Sequence, residues 1–229
     1  MMQVSIVTPT YNERQNLPML VEELFGIVAK DPNIDLELII VDDNSPDGTG
    51  DVADQLAKSY PIQVIHRAGK MGLGSAVMEG FVLSKRDYLG VMDADLSHDP
   101  IIIPEMIASL KDYDIVIGSR FNTESTVENW RFDRKLTSQM GVWFARRLTH
   151  AADPLSGYFF LHRKVLKGVT LTSPGYKILF EILVKGKYGK IKEIPFRFRS
   201  REFSTSKLNS QEYYLFIKQL LVFSWRKKS

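Results

Sequence analysis

Short apolar runs alternate with amphipathic stretches along the first half of the chain. Val4-Ser5-Ile6-Val7-Thr8 reads as a buried strand, and Pro9 interrupts it. Thr10 or Asn12 is placed to cap a helix whose apolar positions are Leu17, Leu20, Val21, Leu24 and Phe25. Leu36 to Val41 predicts a second strand that ends in Asp42-Asp43. The turn residues Asn44-Ser45-Pro46-Asp47-Gly48 then lead to a helix over 50–59. A third short strand follows at Gln63-Val64-Ile65, a helix at Leu73 to Leu83, and a fourth strand over 88–92 that stops at Asp93. A helix at 101–110 and a strand at 114–118 complete this half. The rhythm predicts an α/β fold with a mostly parallel central sheet flanked by helices. No internal repeat interrupts it.

The pattern changes after residue 120. A helix is expected from Asn129 to about residue 149, mixing Trp130, Phe132, Trp143 and Phe144 with Arg131, Arg134, Lys135, Arg146 and Arg147. Residues 191–199 alternate as a strand does, and 201–209 form a polar loop. The tail from Gln211 to Trp225 is apolar and aromatic nearly all round, and Arg226-Lys227-Lys228 follows it.

Charge sharpens this division. The net charge is only +3. Residues 1–156 nevertheless hold 14 Lys and Arg against 23 Asp and Glu, while residues 157–229 hold 16 against 4. A chain divided in this way is suited to meeting a polyanion or an anionic surface. There are no cysteines, which excludes disulfides, thiolate metal sites and a cysteine nucleophile. The N-terminus carries neither a basic n-region nor a long apolar h-region. No stretch reaches the roughly 18 consecutive apolar residues of a membrane span. The basic half carries no nucleic-acid recognition motif, and no nucleic-acid partner is expected.

Ligands of parallel sheets bind outside the carboxyl ends of the strands, and the acidic residues fall there. Asp93-Ala94-Asp95 puts two carboxylates at i and i+2, which can converge on a hard cation such as Mg²⁺ or Mn²⁺. In Thr8-Pro9-Thr10-Tyr11-Asn12-Glu13, Tyr11 offers a ring for stacking a base and Glu13 can accept hydrogen bonds from a base or ribose. In Val41-Asp42-Asp43, a carboxylate at the strand end can do the same. Gly69-Lys70-Met71-Gly72-Leu73-Gly74 matches neither G-x-G-x-x-G nor the P-loop, which disfavours a dinucleotide dehydrogenase and a P-loop NTPase.

In this order the blocks resemble glycosyltransferase family 2, with its GT-A fold, and within it the polyprenol-phosphate (dolichol-phosphate) mannosyltransferases. The matching residues are Pro9-Thr10-Tyr11-Asn12-Glu13, Val41 to Asp47, Met92 to His98, Gly118-Ser119-Arg120, Glu128-Asn129-Trp130, Arg134-Lys135, Asp153 to Gly157, and Arg201 with Ser206-Lys207-Leu208. They span nearly the whole chain.

The resemblance implies a metal-dependent, inverting transfer of mannose from GDP-mannose to a polyprenyl (dolichyl) phosphate. It implies that Pro9, Tyr11, Glu13, Val41 and Asp43 hold the guanosine. Asp93, Ala94 and Asp95 would line the nucleotide-sugar site, with Asp93, Asp95 and Ser97 as candidate metal ligands. Ser97 stands where many members carry Gln, and its shorter hydroxyl leaves two alternatives, contact with the metal through water or none at all. Arg120, Lys177, Arg201 and Lys207 would face the phosphates, and Arg134 with Ser138 the acceptor phosphate. Of these, Asp95, Arg120, Arg134, Arg201 and Lys207 are the candidate catalytic set. A UDP-glucose donor is the alternative, and a non-catalytic nucleotide-sugar-binding subunit a lesser one.

The expected organisation is one catalytic domain over 1–229. Its nucleotide-sugar half is 1–120, its acceptor half 121–210, and its C-terminal helix at a membrane interface 211–229. The helix at 129–149 is a second candidate for lying in the interface. The expected location is peripheral, on the cytoplasmic face of a membrane, with a separate anchoring subunit as a candidate partner.

Overall fold

The structure is a computed structural model that describes residues 1–120, 144–172 and 177–199, the backbone of 126–127, and residues 219 and 223. Its strands and helices, in order, are β1 (Met2–Thr10), α1 (Asn16–Val28), β2 (Ile34–Asp42), α2 (Thr49–Leu56), β3 (Ile62–His66), α3 (Leu73–Leu83), β4 (Tyr88–Val91), α4 (Ile103–Ser109), β5 (Ile115–Ser119), β6 (Thr126–Val127), β7 (Phe159–His162), α5 (Ile178–Lys185), β8 (Ile191–Pro195) and β9 (Arg197–Phe198). A seven-stranded sheet runs β3-β2-β1-β4-β7-β5-β8, and β6 pairs with β9 apart from it. Among the described strands of this sheet, β7 alone is antiparallel to its neighbours, β4 and β5. The mostly parallel sheet expected from the sequence is therefore present.

Alternation along the strands distributes two cores over the two faces. Val4 and Ile6 of β1, with Leu36, Leu38 and Ile40 of β2, pack with Leu17, Leu20, Val21 and Leu24 of α1 on one face. Val7, Ile39 and Val41 pack with Ala76, Val77 and Phe81 of α3 and Ile178, Leu179 and Ile182 of α5 on the other. Each fully buried Leu or Ile contributes roughly 1.5 to 3 kcal/mol. α3 approaches β1 closely at Gly80, where a Cβ would sit 2.5 Å from Val7 Cγ1.

Local details differ from the sequence reading. β1 continues through Pro9 to Thr10. Val7 O accepts from Met92 N on the β4 side, and Thr10 O accepts from Asp43 N on the β2 side. Odd residues thus face β4, whose pairing ends at Val7 with Val91, so Pro9 lacks an N–H where no ladder bond is needed. Neither Thr10 nor Asn12 caps α1. The helix begins at Asn16, and Glu13 O accepts from Asn16 N and Leu17 N. The run expected as one strand over 191–199 is divided into β8 and β9.

In the expected helix 129–149, residues 144–146 are helical and 129–143 lie outside the described residues. In the tail, Gln219 and Phe223 are helical and buried. Phe223 packs with Ala145, Leu155 and Phe180, its ring 5.5 Å from that of Phe180. Among the described residues no helix is long and apolar enough to cross a membrane.

Candidate active site

Three loops follow the carboxyl ends of β1, β2 and β4, and side chains lace each into place. The loops after β1 and β2 are tied together. Asn12 N donates to Ser45 Oγ at 3.0 Å, Glu13 N to Thr49 Oγ1 at 2.9 Å, and Arg14 N to Asp47 Oδ2 at 3.2 Å. Asn12 and Asn44 both have left-handed backbones, with φ 57° and 55°, which asparagine tolerates. Glu13 is buried, and Asn16 Nδ2 donates to its Oε2 at 2.6 Å. Burial raises the Asp47 carboxyl, but hydrogen bonds from Thr49 and Arg14 outweigh it and leave the pKa below the ordinary value.

The two aspartates at the end of β2 hold different things. Asp42 accepts from Thr10 Oγ1, Ser45 N and Ser45 Oγ, which closes the turn after the strand. Asp43 Oδ1 pairs with Arg67 Nη1 at 2.6 Å, while its Oδ2 accepts from Met71 N at 3.1 Å and Gly72 N at 3.3 Å. Arg67 is itself buried and donates from Nη2 to Ser75 Oγ at 2.7 Å. Asp43 Oδ2 thus holds the glycine-rich loop directly, and Oδ1 holds it through Arg67, whose Nη1 also donates to Gly72 O at 3.3 Å. That loop carries Lys70, whose Nζ lies 4.4 Å from the centre of the Tyr11 ring. Arg67 was missed by the sequence reading. The available signal was a single basic residue just after β3, with nothing to indicate its partner.

At the end of β4, Asp93 and Asp95 stand on a tight turn. Ser97 donates from N at 3.1 Å and from Oγ at 2.5 Å to Asp95 Oδ1. The Ser97 amide and hydroxyl thus orient the Asp95 carboxylate. Leu96 has φ 62°, a conformation that costs a non-glycine residue roughly 1 to 3 kcal/mol and persists only where its surroundings hold it. His98 Nδ1 accepts from Asp93 N at 3.1 Å, so the ring proton is assigned to Nε2, 3.8 Å from Asp93 Oδ2. The His98 ring stacks on Tyr158 at 4.8 Å and 8°. Burial, with the charge of Asp99 added, raises the Tyr158 pKa well above normal, and the phenol donates to Asp99 O at 3.0 Å.

The loop 153–157 brings the second half of the chain to this edge. Arg120 grips Asp153 with Nε at 2.8 Å and Nη2 at 2.9 Å, and its backbone N adds a third bond at 3.1 Å. Burial raises the Asp153 carboxyl, but the charge and hydrogen bonds of Arg120 outweigh it and lower the pKa. Glu193 of β8 accepts from the backbone N of Ala152 and Asp153. Ser156 Oγ donates to Gly118 O at 2.7 Å, and Lys177 Nζ to Leu155 O at 3.3 Å. The far end of the loop reaches the carboxylates: a Cβ on Gly157 would lie 3.4 Å from Asp93 Oδ2 and 3.5 Å from His98 Cε1. Gly157 thus leaves the Asp93 carboxylate uncrowded on this side.

Of the residues singled out from the sequence, Pro9, Tyr11, Glu13, Val41, Asp43, Asp93, Ala94, Asp95 and Ser97 fall on the strand ends or in these loops. Arg120 and Lys177 join the edge through the loop 153–157. Arg134, Ser138, Arg201 and Lys207 lie outside the described residues. Among the described residues no group of three or more His, Asp or Glu forms a metal cage. The donor set still suits a hard cation, since Mg²⁺ commonly takes one or two protein carboxylates and completes its shell with water and substrate phosphates.

This sheet, with its acidic carboxyl edge and one antiparallel strand, is the GT-A fold. It superposes on mannosyl-3-phosphoglycerate synthase from Rubrobacter xylanophilus with a TM-score of 0.71, over 98% of this chain and 74% of that one, at 18% identity. It also matches glucosyl-3-phosphoglycerate synthase from Mycobacterium tuberculosis in complex with Mn²⁺, UDP-glucose and phosphoglyceric acid. There the TM-score is 0.68 over 97% and 79% of the two chains, at 20% identity. The sequence identifies the family: the glycosyl transferase family 2 model matches residues 5–172, and the chain belongs to that family. It is 43% identical to the dolichol-phosphate mannosyltransferase of Pyrococcus furiosus over 96% of this chain, which spans 63% of that relative's length. It is 36% identical to the dolichol-phosphate mannosyltransferase of Saccharomyces cerevisiae, over 97% of this chain and 88% of that protein.

Proposed function

We propose that this chain transfers mannose from GDP-mannose to a polyprenyl phosphate of the dolichyl type, inverting the anomeric carbon. The observation that carries the reading is the Asp93–Asp95 edge, with the Gly157 loop against it and Arg120 fixing that loop. The names and extent of the two dolichol-phosphate mannosyltransferase relatives support the choice of sugar and acceptor.

An oxygen of the acceptor phosphate bonds to mannose C1 as the bond from C1 to the GDP oxygen breaks, and GDP leaves with the electron pair. The attacking oxygen is already anionic near neutral pH, so no strong general base is required. The residues contribute position and electrostatics. Pro9, Tyr11, Glu13 and Val41 would line the guanosine pocket, with Asp43 shaping it through the loop at Met71 and Gly72. Asp93 and Asp95 would hold a divalent cation, Mg²⁺ or Mn²⁺, which when bound supplies a Lewis acid for the departing diphosphate. Arg120, Lys177, Arg201 and Lys207 would supply positive charge for the donor phosphates, and Arg134 and Ser138 would meet the acceptor phosphate.

The lipid acceptor implies work at a membrane surface, on the cytoplasmic face, with an anchoring subunit as a candidate partner. Thermal shift separates the donor readings. GDP-mannose with Mn²⁺ is expected to raise the Tm more than UDP-glucose with Mn²⁺, and the reverse order would favour a glucosyl donor.

A further inference from the structure

Residues 97 to 99 are bonded in two directions. Toward the site, Ser97 donates twice to Asp95 Oδ1, and His98 Nδ1 accepts from Asp93 N. Away from it, the same three residues are held by the chain around β9. Arg199 N donates to Ser97 O at 3.0 Å, His98 bridges to Phe198, and Arg199 Nη2 donates to Asp99 Oδ1 at 2.8 Å. The guanidinium also spans to α1, where Nη1 and Nη2 reach the two Glu23 oxygens at 3.0 and 2.9 Å. One side chain therefore joins the turn after β4 to α1, and its own backbone fixes the residue that orients Asp95. The turn contains Leu96 in a left-handed conformation, which needs such restraint.

We propose that Arg199 is a positioning residue for the Asp93–Asp95 carboxylate pair, holding Ser97 to Asp99 against α1 and so setting how both carboxylates face a divalent cation. The inference rests on the reading of that pair as cation ligands. Arg199 acts through Ser97, His98 and Asp99. Its planar fork presents Nη1 and Nη2 to Glu23 while Nη2 also reaches Asp99, a fixed geometry that the flexible ammonium of lysine does not reproduce.

The test is Mn²⁺ binding in the presence of GDP, read by the electron paramagnetic resonance of free Mn²⁺, for the wild-type chain, R199A, R199K and E23Q. Loss of a group that orients a metal ligand typically weakens affinity about 10-fold or more, and that is expected of R199A, with R199K intermediate. Hydrogen exchange supplies a second readout. R199A should speed exchange over 92–99, where the Asp93 and Ser97 amides are bonded, while β1 stays protected. If R199A does not fold, E23Q carries the test, since it keeps the Ser97 and Asp99 bonds; its expected loss is a few-fold. R199A that matches wild type in both Mn²⁺ affinity and exchange overturns the inference alone. Wild-type protein that binds no Mn²⁺ with either GDP or UDP overturns the cation-site reading, and the inference with it.

Discussion

Asp153 is fully buried with both carboxylate oxygens on the guanidinium of Arg120, at 2.8 Å from Nε and 2.9 Å from Nη2. Arg120 was expected from the sequence to face phosphates. In the structure its fork first secures the loop that carries Gly157 to Asp93. Removing one member of such a pair strands the other, at a cost of about 3 to 5 kcal/mol. Asp153→Ala is therefore expected to lower the Tm sharply and to reduce turnover in the protein that remains folded. A Tm close to that of wild type would contradict this role.

The same pair predicts a pH dependence. The folded-state pKa of Asp153 is depressed, because Arg120 outweighs burial. Its stabilisation is present above the unfolded value of about 3.9 and is lost as pH falls through the lower folded value. Asp114 behaves alike. A hydrogen bond from Lys164 lowers its pKa, burial opposes this, and the Gly189 and Lys190 amides help bring it to about 2. Tm should thus fall as pH is lowered from about 4 toward 2. Asp114→Asn should show a shallower decline, measured by calorimetry across that range, and an unchanged slope would remove Asp114 from the account.

Gly157 tests the space beside the carboxylates. Alanine would put a methyl carbon 3.4 Å from Asp93 Oδ2, close but without a hard clash. Gly157→Ala should fold with nearly the wild-type Tm and lose about 10-fold or more in kcat, since small misplacements near a reacting centre cost that much. Unaltered kinetics would show that the donor sugar and cation lie elsewhere.

Arg67 tests the pocket wall. Arg67→Ala leaves Asp43 buried with two amide donors but without its charged partner. Exchange at the Met71 and Gly72 amides should accelerate, and GDP-mannose binding by calorimetry should weaken about 10-fold. Slow exchange at those amides in the variant would show that Asp43 holds the loop without Arg67.

The first half of the fold was legible because its strands and helices bury regular faces. Leu17, Leu20, Val21 and Leu24 recur at helical spacing, and the acids at the ends of β1, β2 and β4 mark the edge. β7 was not legible. Its run Phe159-Phe160-Leu161-His162 is short and pairs with strands remote in sequence, so only tertiary structure sets its direction. Pro9 misled because periodicity does not show which side of a strand lacks a partner. The candidate site was legible as residue types and order, but not as partners. Sequence marked Asp43, Ser97 and Arg120 as contacts for ligands, and their geometry adds bonds to Arg67, Asp95 and Asp153 that the sequence did not indicate. The Asp43–Arg67 and Arg120–Asp153 bonds join residues far apart in the chain, and spacing carries no such information.

The central claim is tested most directly by transfer of radiolabelled mannose from GDP-mannose to a short-chain polyprenyl phosphate, with Mn²⁺ or Mg²⁺, by the wild-type chain and Asp95→Ala. The account predicts a mannosyl lipid product from wild type, none with chelator present, and none from Asp95→Ala. Absence of product with either metal, or full activity of Asp95→Ala, would contradict it.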